Sequence, residues 1–229
     1  MSILSLALYG SRARQDEVEG SDIDLFSISD DAQYRMIVHG NTNIASYPRQ
    51  LAVERAEQGD LFMLHIVSES QTLYDPREYM NELKDAFNFR SNYDAEIKFA
   101  SDIAWMLIDQ SQVSNNFSFL NRRTAWCVRT ILIAKAANKR FPIFSARGLA
   151  DFSGSSLSFP LINGKNDIGP REESVRELEL FVGEFGHKRP LPKGSLSLHD
   201  YAQLFAQSEN VMGDKTLTML QSTAEDFYN

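Results

Sequence analysis

One cysteine, Cys127, is all the chain has, so an internal disulfide is excluded and a reducing, cytoplasmic compartment is expected. That thiol sits in the apolar helical stretch "TAWCVRTILIA", which suits a buried inert side chain better than a nucleophile. No apolar run approaches the roughly 20 residues that a membrane helix needs, so no membrane is expected among the partners. The opening "MSILSLALYGSRA" lacks the basic segment of an export signal, and its last apolar residues run into the most informative part of the sequence. The four histidines are scattered without zinc-ligand spacing, and neither a serine-hydrolase elbow nor a dinucleotide-binding glycine fingerprint is present. Excess positive charge is missing too: a formal net charge of -8 argues against nucleic-acid binding through the whole surface.

The charge is unevenly spread. Residues 1–94 hold 16 acids and 8 Lys or Arg, while residues 95–229 hold 15 of each. Between Gln110 and Ala150 there is no acid at all and there are seven bases, among them Arg122, Arg129, Lys135 and Arg140. With 229 residues and 43% hydrophobic composition the chain can bury a substantial core, in one large domain or two small ones.

Periodicity gives a coarse map. Ile3 to Tyr9 reads as a strand that turns at Gly10-Ser11 into a short helix from about Arg12, and "DIDLFSI" (Asp22 to Ile28) alternates as a second strand. Thr42 to Tyr47 is a third strand ended by Pro48, with a helix after it. "GDLFMLHIVSES" suits a strand or a helix, "QTLYDP" a last short strand, and Arg77 to Phe87 a helix. From Tyr93 the pattern is helical: Ala95 to Gln110, Asn121 to Asn138, Glu172 to Phe185, and a final helix between His199 and Phe227, separated by two irregular stretches, 152–170 and 186–197. The expected fold class is α+β: a small mixed sheet flanked by helices in residues 1–90, then a mainly helical bundle domain in 91–229, with the boundary near Asn88 to Tyr93.

The segment "YGSRARQDEVEGSDIDL" carries the chemistry. Asp22 and Asp24, two apart on a strand, leave the same face, with Cα atoms about 7 Å apart. Two such carboxylates can converge on a pair of divalent ions about 3.5 to 4 Å apart, an arrangement that clamps both oxygens of a phosphoryl displacement. Magnesium is the natural ion for hard oxygen ligands shared with water and phosphate. Gly10 allows close backbone approach, and Ser11 offers a hydroxyl and an N–H to an anion. A lone D-x-D is more often a solvated strand face, and only the conjunction with Gly10-Ser11, ten intervening residues before Asp22, favours a site.

That conjunction resembles the polymerase beta superfamily of nucleotidyltransferases, especially its minimal and aminoglycoside-type bacterial members. The resemblance implies transfer of a nucleoside monophosphate from a nucleoside triphosphate to an acceptor hydroxyl, with pyrophosphate released and two magnesium ions held by Asp22 and Asp24. It further implies that Gly10 and Ser11 bind the triphosphate, and that a helical second domain follows. Arg12 and Arg14 either add charge near the phosphates or face solvent. On a helix, Arg122, Arg129 and Arg140 fall within about 20° of one another, so Arg129 with its neighbours meets phosphates or simply snorkels past apolar surface. The acceptor class stays open among an aminoglycoside-like small molecule, the 3′ end of tRNA and a protein hydroxyl, the latter two in a toxin-antitoxin or phage-defence setting. The N-terminal edge of the sheet is expected to be either exposed or covered by a partner subunit, in a homodimer or with a partner protein.

One part of the family's pattern is missing. A third carboxylate usually stands on a neighbouring strand, but "NTNIASYP" offers only Asn43 or Ser46 there, and neither is a general base near neutral pH. Asp60 and Glu69 are the nearest acids that could substitute. His65, in an apolar run, reads first as a core histidine and second as a base. The rival to an enzyme is therefore a nucleotidyltransferase fold that binds a nucleotide or a partner, antitoxin-like, without turnover.

Overall fold

The structure, a computed structural model, describes residues 2–111, 116–169, 172–192 and 197–225. The chain falls into two compact units, residues 1–92 with 137–145, and residues 93–136 with 146–229. It passes between them at 92/93, 136/137 and 145/146, whereas the sequence reading draws a single boundary.

The first unit is built on a five-stranded mixed sheet. Its strands are β1 (Ile3–Tyr9), β2 (Ile23–Ser29), β3 (Arg35–His39), β4 (Thr42–Pro48) and β5 (Gln71–Tyr74), in the order β3-β4-β2-β1-β5. β2 and β4 are parallel and every other pairing is antiparallel. The expected open edge beside β1 is occupied by β5, so the edges of the sheet are β3 and β5.

Strand periodicity decides what is buried. In β1, Ser5, Ala7 and Tyr9 are buried on one face while the alternate leucines stay partly exposed. Phe26, Ile28, Ala45 and Tyr47 continue the buried face across β2 and β4. Three helices supply the other half of this core: α2 (Arg49–Glu57) through Ala52 and Ala56, α3 (Leu61–Glu69) through Met63 and Ile66, and α4 (Tyr79–Ala86) through Met80 and Leu83. A four-residue helix, α1 (Ser11–Arg14), links β1 to the loop before β2.

The ambiguous "GDLFMLHIVSES" is helical, and the reason is local. Asp60 caps α3, its Oδ1 accepting from the backbone N–H groups of Phe62 (2.9 Å) and Met63 (3.1 Å). Gly59 precedes it at φ +66°, where a Cβ would overlap the carbonyl oxygen of Asn88. That pair of residues starts a helix and positions it against the sheet.

The second unit is helical among its described residues: α5 (Asp94–Gln110), α6 (Phe117–Asn138), α7 (Ala146–Ser153), α8 (Ser158–Asn163), a 3-10 turn at Gly164–Asn166, α9 (Glu172–Phe185), α10 (Leu198–Ser208) and α11 (Val211–Glu225). α5 is the central element. Every residue from Ala100 to Ile108 is buried, which a helix does only when it is covered on all sides.

Several expectations are corrected. α6 begins four residues before the expected Asn121. Arg140 lies beyond its end in the left-handed region, at φ +57°, so the helical arithmetic does not apply to it and the expected arginine stripe keeps only Arg122 and Arg129. Residues 152–170, read as irregular, contain the end of α7, all of α8 and the 3-10 turn. The expected final helix is two helices, broken where Glu209 takes φ +55° and the Asn210 side chain accepts from the Gly213 N–H at 2.9 Å. Its expected end at Phe227 lies outside the described residues.

Candidate functional site

β1 delivers Tyr9, Gly10 and Ser11 to one end of the sheet. Gly10 has φ +76° and ψ −154°, a region that only glycine occupies without strain. A Cβ at this position would lie 2.9 Å from Asp24 Oδ2. The loop backbone and the Asp24 carboxylate are thus packed as one object, which a substituted side chain would separate.

Asp24 sits in a row that runs across three strands. It is opposite Tyr9 on β1 and opposite Asn43 on β4. Burial pushes the Tyr9 hydroxyl well above the usual phenol range, and the Asp24 charge adds to the effect, so the hydroxyl keeps its proton. Asn43 donates from Nδ2 to Asp24 Oδ1 at 3.2 Å. Asp22, one residue before β2 and two before Asp24, is exposed. Among the described residues its carboxylate has neither a hydrogen bond nor an ion pair.

The two arginines of α1 have protein partners. Arg12 donates from Nε to the Asp22 carbonyl oxygen (3.2 Å) and from Nη2 to that of Ser21 (2.9 Å), lacing the short helix to the backbone just ahead of the aspartates. Arg14 pairs with Asp16 (3.2 Å) and with Glu69 (2.7 Å). Glu69 also meets His65 Nε2 at 2.8 Å, one helical turn back along α3. Burial works to raise the Glu69 carboxyl, but hydrogen bonds from His65 and Arg14, and their charge, outweigh it and hold the group below the usual carboxylate range. The His65 ring stacks on Phe144 at 4.3 Å and meets Tyr9 edge-on at 5.4 Å. Arg14, Glu69 and His65 therefore form a clamp that holds α1 against α3. The i, i+4 spacing of His65 and Glu69 is the sequence signal for it, available once the segment is taken as helix.

Neither substitute for the third carboxylate joins the pair. Asp60 is consumed as the α3 cap and by Arg55 at 3.0 Å, and Glu69 by the clamp. Ser46 faces away, buried and donating to Ser29 Oγ at 3.2 Å, which leaves Asn43 as the residue beside Asp24. Among the described residues no group of three or more His, Cys, Asp or Glu converges as a metal site. The donors present fit magnesium in kind. Two carboxylates, the Ser11 hydroxyl and the Asn43 amide oxygen are hard ligands, of the sort that share this ion with water and phosphate.

Several bases of the interval between Gln110 and Ala150 have protein contacts of their own. Arg122 binds Ser118 one turn back at 2.8 Å, the Arg123 guanidinium lies over Phe119 and Trp126, and Arg140 covers Phe89 at 4.8 Å. Arg129 is a half-buried residue of α6 in the second unit. Cys127, on the same helix, is fully buried, and burial pushes its thiol up to about 12, which removes it as a nucleophile. No helix among the described residues is long and apolar enough to cross a membrane.

No curated protein matches the chain. A nucleotidyltransferase-like protein from Exiguobacterium sibiricum 255-15, known from its crystal structure, aligns over 80% of this chain and 68% of its own with 10% identity and a TM-score of 0.36, a likeness too distant to carry anything further. Residues 1–79 match the family described as Polymerase beta, Nucleotidyltransferase, and this stretch contains β1, Gly10-Ser11, α1 and the Asp22/Asp24 pair. Over this N-terminal third the chain is similar to the polymerase beta nucleotidyltransferases.

Proposed function

We propose that the first unit binds a nucleoside triphosphate with magnesium and transfers its nucleoside monophosphate to an acceptor hydroxyl. The observation that carries this reading is the packing of Gly10 against Asp24: a loop conformation open only to glycine, pressed on a carboxylate, suits a phosphate-and-metal site and is not needed by a plain turn. Asp22 and Asp24 would hold two magnesium ions. Magnesium, when bound, neutralises charge on the triphosphate and on the leaving pyrophosphate.

The rest of the work falls to the chain. Gly10 and Ser11 present backbone and hydroxyl to the phosphates, and Arg12 fixes the distance between that turn and the aspartates by holding the carbonyls of Ser21 and Asp22. Arg14, engaged by Glu69, supports α1 from behind. Transfer forms the bond from acceptor oxygen to the α-phosphorus, breaks the bond to pyrophosphate and releases the acceptor's proton. Positioning supplies most of the rate in such a reaction, and a neutral Asn43 cannot take that proton. The helical second unit is assigned to the acceptor, with tRNA, protein and small-molecule hydroxyls as the classes to test.

Asn43 favours a second reading, nucleotide or partner binding with little or no turnover. The deciding experiment incubates the protein with each α-labelled nucleoside triphosphate and magnesium, with and without total tRNA, a cell lysate and aminoglycosides, beside Asp22→Ala/Asp24→Ala. Label moved by the native protein alone supports transfer and reveals the acceptor class. Magnesium-dependent binding lost in the double variant, with no label moved, supports the second reading.

A further inference from the structure

The second unit has a cavity of about 660 Å³, the size of a small-molecule site, between α5, α6, α10 and the segment that follows α9. Ile97, Phe185, Pro190 and Leu204 form its apolar lining. Lys98, Lys135 and Lys188 bring positive groups to it beside the His187 ring, against the carboxylates of Asp94 and Asp102.

The charges are not balanced internally. Asp102 is almost wholly buried and takes Lys98 as its partner, with Nζ to Oδ2 at 2.5 Å. Lys135, half-buried on α6, makes no ion pair among the described residues, and neither does Lys188. In a protein of net charge -8, two lysines without carboxylates beside an apolar floor mark a place for an anion.

The wall that carries His187 and Lys188 is built rather than draped. The His187 N–H donates to Ser101 Oγ at 2.9 Å, and its carbonyl oxygen accepts from Trp105 Nε1 at 2.9 Å. Arg189 bonds Asp109 at 2.5 Å and lies over the Trp105 ring at 4.4 Å. A Cβ at Gly186 would come within 2.7 Å of Ser101 Oγ. His187, through its backbone, and Arg189, through its guanidinium, are thus pinned to α5 on either side of Lys188, which leaves the side chains of His187 and Lys188 exposed at the cavity. A preorganised wall lowers the ordering cost of binding.

We propose that this cavity binds a small amphipathic organic anion, a carboxylate or phosphate monoester whose charged end meets Lys135 and Lys188 and whose apolar body lies on Phe185, Ile97 and Leu204. The inference stands apart from nucleotidyl transfer, since every residue it uses belongs to the second unit.

Calorimetric titration of the full chain in EDTA tests it, with phenyl phosphate as the probe and inorganic phosphate, benzyl alcohol and benzylamine as comparators. One saturable site is expected for phenyl phosphate, about tenfold tighter than for inorganic phosphate, with no site for benzylamine. Lys135→Glu and Lys188→Glu should each weaken it about tenfold, and Leu204→Trp should block it by filling the floor, while Lys215→Glu and Asp22→Ala/Asp24→Ala leave it unchanged. Because Lys188 is exposed, its variant keeps the test valid should Lys135→Glu fail to fold. Absence of saturable binding below about 10 mM overturns the proposal. So does binding that ignores both lysine variants, prefers the amine, or disappears with Asp22 and Asp24.

Discussion

Two sets of acids in the first unit are treated in opposite ways. Glu69 and Asp60 are surrounded by protein partners: an arginine and a histidine for one, two backbone amides and an arginine for the other. Asp22 has no such partner among the described residues, and Asp24 is met by a neutral amide and by a glycine that must stay bare. The first set stabilises the fold, and the second is held in place by it while its charge is left uncompensated. In the function proposed above, the magnesium ions are the cations that would offset the charge of this second set. The difference teaches where to look for function: at the charges the fold does not use.

The strongest way to break the comparison is to delete the uncompensated set. Asp22→Ala/Asp24→Ala should weaken magnesium-dependent nucleotide binding by more than about 100-fold, beyond what is lost when only an outer-shell partner of a metal goes. Its thermal midpoint should be unchanged or raised, and a large fall would show that these acids serve the fold after all. Asn43→Asp sharpens the same contrast by restoring a third carboxylate. Pyrophosphate release with magnesium should then rise about tenfold or more. Without magnesium this variant should be less stable than the native protein, because a second charge faces Asp24.

Gly10→Ala tests whether loop and carboxylate are one object. Strain at φ +76° and the close approach to Asp24 should cost about 1–3 kcal/mol in denaturant unfolding. A neutral result would remove the observation on which the proposed function rests. Glu69→Gln acts on the compensated set. Because the fold lowers this carboxyl, its stabilising contribution is fully present above the ordinary value of 4.5 and is lost as pH falls through the lower native value. The variant should be less stable by about 1 kcal/mol near neutral pH, and the difference from native should shrink towards pH 3. The smallest effect belongs to Cys127: iodoacetamide at pH 7 should label it only on unfolding, since the thiol is buried and its ionisation pushed up to about 12.

The parts of this architecture that bury an alternating face were legible in the residues. β1, β2 and β4 announce themselves because one face of each packs on helices; strand spacing pairs Asp22 with Asp24, while the neighbour on β4 is narrowed to Asn43 or Ser46 only through the family resemblance. β3 was not visible, since all but one of its residues are exposed and an edge strand that buries little leaves no stripe to read. Its turn was readable, however: Gly40-Asn41 joins His39 and Thr42, which pair across a two-residue hairpin loop. The clamp of Arg14, His65 and Glu69 needed the helix assignment of α3 first, and that depended on Asp60 and Gly59 rather than on hydrophobic period. The short α8 and the end of α7 lie in a Ser-, Gly- and Pro-rich stretch whose composition argues for loop. The cavity of the second unit brings together residues up to 110 positions apart, a separation no local pattern reports.

The discontinuity of the first unit has a practical consequence. Phe144, supplied by residues 137–145 after the chain has already left for the helical unit, is the ring stacked on His65. A fragment ending at residue 92 would contain the whole sheet, the family match and both aspartates, yet one face of His65 would be stripped and the clamp behind α1 loosened. Domain transplants, truncations for binding assays and fusion proteins built on this chain should therefore carry residues 137–145 with the sheet. Insertions are better placed at Gly40-Asn41, where the hairpin tip is exposed and no part of the second unit is needed.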